Sequence, residues 1–193
     1  VCSSDPGFNP HIVMSFASAL SSGIPGDAEL LDVSLHSETT EEACMEAMNR
    51  VLPPALHVSR IRLVDDRFPK VSAALRQAEY RITLWGEDAL KIANKIPDFL
   101  AQNEIMALRK TKRAETLVNI RPMIHLLEAQ MDTEAKTAVL TARVSFVESA
   151  TLKPDLLLSS LCTFSGVELP KCEIRRTCLL GERDGQSVPL IDL

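Results

Sequence analysis

EYRITLW at residues 79–85 reads as a strand, and the run EDALKIANKIPDFLAQ at 87–102 reads as a helix that opens on acidic residues. Everything else in the second half is placed from this β-α step. IMALRK (105–110) and TLVNIRP (116–122) read as two strands around a basic turn, and MIHLLEAQM (123–131) fits strand or helix. KTAVLTARVSF (136–146) alternates as a strand does. LKPDLLLSSLCTF (152–164) reads as a helix with Pro154 in its first turn, and EIRRTCLL (173–180) as a closing strand. Residues 79–180 thus give β-α-β-β-α-β with an extra hairpin, the ferredoxin-like order of a sheet with two helices on one face.

Upstream, HIVMSFA (11–17) reads as a strand and SSGIPGD (21–27) as a loop broken by Gly and Pro. AELLDVSLH (28–36) alternates, and TTEEACMEAMNRVL (39–52) has a Thr cap, early acids and helical apolar spacing. Pro53-Pro54 stops that helix; LHVSRIRLVD (56–65) alternates again and is expected to be a strand, and FPKVSAALRQ (68–77) a short helix. The order β-β-α-β repeats the second half without its opening strand and helix. The expected fold is α+β, with two tandem ferredoxin-like units and an N-terminal segment missing from the first. The expected boundaries are a partial unit at 1–67, a bridging helix at 68–78, and a second unit with an inserted hairpin at 79–193. The alternative is a single mixed α+β domain.

Composition narrows the function. Only 4% of residues are aromatic, too few for an evident set of stacking platforms for single-stranded nucleic acid. The net charge of -5 lies entirely in residues 1–100, so a polyanion would need a local basic patch in the second half. Five cysteines in no CxxC spacing point to reduced thiols and away from a zinc site or a self-contained iron–sulfur cluster. With no signal peptide and no apolar run long enough to span a bilayer, a cytoplasmic protein with no membrane association is expected.

Candidate sites emerge from residue chemistry. In GFNPH (7–11), Asn9-Pro10 favours a turn, and His11 stands at its end as turn residue, ligand contact or weak acid/base candidate. RKTKR (109–113) concentrates Arg109, Lys110, Lys112 and Arg113 on an expected hairpin tip, the chemistry that neutralises phosphates. Arg121 and the pair Arg175-Arg176 add bases, although neighbours on a strand face opposite ways, so that of the pair only Arg176 is placed with the patch. The histidines His11, His36, His57 and His125 have no metal-ligand spacing, and no metal is expected. Asp65-Asp66 reads as an exposed turn. Cys172 and Cys178 share a face if their strand is regular, about 20 Å apart at 3.3 Å per residue. There is no Walker loop and no GxGxxG.

Several separated blocks resemble a bacterial radical-SAM-associated family, a domain of unknown function. They are GFNPH…SFA (7–17), GIPGDAELLDV (23–33), NRVLP (49–53), AAL…AEYRITL (73–84), RKTKR (109–113), NIRPMI (119–124), LKPDLLL (152–158) and EIRRTCLL (173–180). The chain departs from that pattern at Ile12, in ASALSS (17–22) and at Lys153. The resemblance implies a radical S-adenosylmethionine (radical SAM) enzyme as partner, with iron–sulfur cluster and S-adenosylmethionine on that partner and no cofactor in this chain. The function expected is an accessory binding protein, not itself an enzyme, that presents RNA or a protein substrate. Asn9, His11, Arg109, Lys110, Lys112, Arg113, Arg121 and Arg176 would be its contacts. The alternatives are an RNA-directed enzyme using His11 and a protein–protein scaffold.

Overall fold

The computed structural model describes residues 13–65, 67–110, 115–147 and 150–193. Two compact units divide the chain: Val1–Ser18 with Leu30–Ala74, and Ala19–Glu29 with Leu75–Leu193.

In the first unit, β1 (Met14–Phe16) and β2 (Leu31–Val33) form an antiparallel pair. Helix α1 (Glu41–Val51) begins as its sequence predicts, with the Thr40 hydroxyl accepting from the Ala43 amide at 3.2 Å and Glu41 and Glu42 in the first turn. The helix expected over 68–77 is reduced to one turn, α2 (Val71–Ala74), whose first amide donates to Asp32 Oδ2 at 3.0 Å. The strand expected over 56–65 is absent. Its backbone is held by side chains of α1 instead. Asn49 donates to the Val58 carbonyl at 2.9 Å and accepts from the Val58 amide at 2.7 Å, while Glu41 accepts from the Leu63 amide. Backbone groups satisfied in this way need no neighbouring strand. Without that third strand the described residues of this unit do not form the expected ferredoxin-like repeat.

Asn49→Ala removes both ties at Val58. It is expected to destabilise the first unit by about 1–2 kcal/mol and to speed tryptic cleavage at Arg60 and Arg62. Unchanged cleavage would show that Asn49 does not hold the segment.

The second unit contains β3 (Gln77–Trp85), α3 (Glu87–Leu100), β4 (Met106–Lys110), β5 (Glu115–Asn119), β6 (Ile124–Asp132), β7 (Thr137–Ser145), α4 (Pro154–Ser165), β8 (Cys172–Arg183) and β9 (Gln186–Pro189). The main sheet is antiparallel with order β6-β7-β3-β8-β9, and β4-β5 form a separate hairpin. Mixed α+β architecture with antiparallel sheets is as the sequence predicts. The ambiguous segment 123–131 is strand β6, and β9 is an addition to the expected elements. Asp184 and Gly185 turn the chain into β9 with φ of 53° and 74°, the left-handed pair of a tight hairpin.

Alternation places Ala78, Tyr80, Ile82 and Leu84 of β3 on the buried face, in register with Val144, Ala142, Leu140 and Ala138 of β7. Helix α3 buries Ala89, Ile92, Ala93, Ile96 and Phe99, one stripe at helical spacing. Helix α4 buries Leu157, Leu158 and Leu161, and the rings of Phe99 and Phe164 meet edge to face at 5.4 Å. Pro154 opens α4 and Gly166 closes it at φ 67°, with the Val167 amide reaching back to the Cys162 carbonyl at 3.1 Å.

One irregularity sets which side chains of β8 face inward. Between Glu79 and Tyr80 the register with β8 slips, so that Thr177 is an extra residue in β8. Cys172 therefore pairs with Leu84 on the buried face and Cys178 with Glu79 on the other. Their expected shared face is corrected by that bulge. Among the described residues no helix is long and apolar enough to cross a membrane.

Candidate functional site

Strand β8 brings two adjacent arginines to opposite faces. Arg175 points outward and pairs with Asp27 at 2.7 Å and Glu173 at 3.5 Å. Arg176 lies opposite Tyr80 on the buried face and is 2% exposed. A lone buried guanidinium would be costly, so its partners define the site.

Those partners come from the segment GIPGDAE. The Arg176 amide donates to the Pro25 carbonyl and the Asp27 amide to the Arg176 carbonyl, both at 2.9 Å, in a parallel bridge along β8. Two residues on, the Glu29 carboxylate accepts from Arg176 Nε at 2.8 Å and from Nη2, a bidentate pairing. A Cβ at Gly26 would meet the Glu29 side chain, so a larger residue there would push the carboxylate from its place on Arg176. The guanidinium lies beside the Tyr80 hydroxyl and 5.9 Å from the Phe146 ring centroid. Burial opposes the charge of Arg176, but Glu29 and then Tyr80 outweigh it and raise its pKa. Burial pushes the Tyr80 hydroxyl up as well, against the pull of Arg176.

Beside this cluster is a recess of about 240 Å³. Leu20, Ile24, Phe146 and Pro154 supply apolar wall, and Tyr80, Arg176 and Lys153 supply polar groups. Lys153 is exposed at the mouth and has no ion-pair partner among the described residues.

The hairpin β4-β5 is the second feature. Leu108 faces Leu117 and Lys110 faces Glu115, so Met106, Leu108 and Leu117 share one face. They are 50%, 46% and 60% exposed, an apolar strip leading to Lys110.

On the side of the main sheet opposite Tyr80, Glu79 pairs with Arg143 at 2.9 Å, and His125 shares a 2.9 Å hydrogen bond with Ser145. Desolvation, then the Arg143 charge, pushes the His125 pKa down. The unfolded chain therefore takes up this proton first as pH falls through about 6.5, and stability declines from there until the folded imidazole also titrates. An NMR titration is expected to give a His125 midpoint below about 6.5, partly restored by Arg143→Gln. A midpoint at or above that value would contradict the assignment.

The residues singled out from sequence that the structure describes are dispersed. Asn9, His11, Lys112 and Arg113 lie outside the described residues. Arg109 donates to the Thr151 carbonyl at 2.8 Å, and Arg121 to the carbonyl of Leu100, the last residue of α3, at 2.9 Å. Lys110 pairs with Glu115 at 3.0 Å on the exposed hairpin. Of those among the described residues, only Arg176 lines the recess. Glu29, Tyr80 and Lys153 were not anticipated; the one hint was the acids of Asp27 and Glu29 matching in number the doublet Arg175-Arg176. Among the described residues no three His, Cys, Asp or Glu side chains converge on a metal site. Burial pushes the thiols of Cys162, Cys172 and Cys178 up, so none is an activated thiolate.

No curated protein matches the chain. Residues 4–154, well over half its length and ending where α4 begins, match a family described as an uncharacterized protein conserved in bacteria (DUF2344), and the chain belongs to that family.

Proposed function

We propose that the chain is an accessory binding protein for a radical SAM enzyme, docking an acidic surface of that partner through the β4-β5 hairpin. The partner class rests on the resemblance of the sequence blocks, and the cluster and S-adenosylmethionine would be the partner's. One observation supports the docking element: exposed Met106, Leu108 and Leu117 run along one face of the hairpin toward Lys110, which Lys112 and Arg113 follow in sequence. Apolar area contributes to a protein interface but not to phosphate contacts, so the strip favours a protein surface over RNA. Arg109 and Arg121, already held by backbone carbonyls, drop out of the contact set. The order β6-β7-β3-β8 with helices α3 and α4 supports reading the second unit as a ferredoxin-like module.

Calorimetric titration against the radical SAM enzyme of the same bacterium tests the reading. Leu117→Asp, at an exposed position, is expected to weaken binding by about tenfold or more with an unchanged circular dichroism spectrum. No binding, or equal binding by the variant, overturns it. Fluorescence anisotropy with total RNA at about 50 and 200 mM salt is the second arm. Salt-sensitive RNA binding lost on charge reversal of Lys110, Lys112 and Arg113 would transfer the hairpin's role to RNA.

A further inference from the structure

We propose that the recess beside Arg176 is a binding site for a small organic anion, an apolar body carrying a carboxylate or a phosphate. The site is distinct from the hairpin, and three observations converge on it.

First, polar groups stand where the sheet is otherwise apolar. The buried face of β3 carries Ala78, Ile82 and Leu84 besides Tyr80, yet at Tyr80 and its neighbour Arg176 a hydroxyl and a guanidinium are buried together. Apolar side chains of similar volume would stabilise a core at least as well as such a buried pair. Second, these groups border open space: about 240 Å³, just below the roughly 300–1,000 Å³ of small-molecule sites and mostly apolar in its walls, as such sites are. Third, Arg176 is already balanced. Glu29 accepts two hydrogen bonds from it, which leaves Lys153, with no ion-pair partner among the described residues, as the cation for an incoming anion. Asp155, exposed one residue beyond Pro154, acts on Tyr80 as well and opposes an anion there.

In this arrangement Lys153 meets the anionic group, Tyr80 and Arg176 set the polar wall, and Phe146, Leu20 and Ile24 cover the apolar body. Arg176 orients more than it binds, because Glu29 already occupies its Nε and Nη2.

Saturation-transfer NMR with benzoate, phenyl phosphate and the neutral benzyl alcohol tests the proposal. Wild-type protein is expected to bind at least one of the two anions saturably. Lys153→Glu, at an exposed position that leaves the fold intact, should weaken that binding by about tenfold and leave benzyl alcohol unaffected. Tyr80→Phe should weaken it less. Binding of phenyl phosphate alone identifies a phosphate ligand, and binding of benzoate alone a carboxylate. Absence of saturable binding to both anions, or equal binding by Lys153→Glu, overturns the site.

Discussion

Glu29→Ala is expected to lower the stability of the second unit by about 3 kcal/mol. The substitution removes the carboxylate that Arg176, 2% exposed, meets through Nε and Nη2. An uncompensated buried charge costs far more than the pair as a whole contributes, so Arg176→Met should be milder than Glu29→Ala. Gly26→Ala offers an independent route to the same break, since its new methyl group would push the Glu29 carboxylate off the guanidinium. The two substitutions should therefore be non-additive, Gly26→Ala costing much less once Glu29 is gone. Trp85, the sole tryptophan and the last residue of β3, reports unfolding of this unit by fluorescence in urea. Midpoints for Glu29→Ala and Arg176→Met that match wild type would show that the pair does not hold GIPGDAE against β8.

Ile82→Ala carries the other large effect, about 3–4 kcal/mol, with Ile82→Val near 1 kcal/mol. Ile82 is wholly buried at the centre of β3, with Leu140 of β7 and Ile174 of β8 as its cross-strand partners. Removing three carbons there leaves a gap that two paired strands cannot close without breaking register. The Trp85 signal measures this loss too, and a cost below about 1 kcal/mol would mean that the sheet centre repacks freely.

Legibility tracks burial. Strands β3 and β7 and helices α3 and α4 are evident in the sequence because one buried face imposes a period on the residues: Ala138, Leu140, Ala142 and Val144 are all inward. The same pattern misleads at 56–65, where alternation is present but Asn49 and Glu41 occupy the backbone groups that a neighbouring strand would use. Segment 123–131 carries no decisive period, and pairing with β7 makes it a strand. The turn residues Asp184-Gly185 are the local signal that accounts for β9.

The site is less legible. Sequence places Arg175 and Arg176 on opposite faces but does not say which is buried or beside what. That depends on the extra residue Thr177, which shifts the pairing of β8 on β3, and on a glutamate 147 residues away. By itself the sequence determined the α+β class, the Thr40 cap of α1, the Pro154 start of α4 and the alternation of the central strands, all local consequences of backbone period and side-chain chemistry. Tertiary structure alone decided the register, the bulge, the union of Glu29, Tyr80 and Arg176, and the space left beside them. Those depend on which distant segments pair, and the energy of pairing is not written in any one of them.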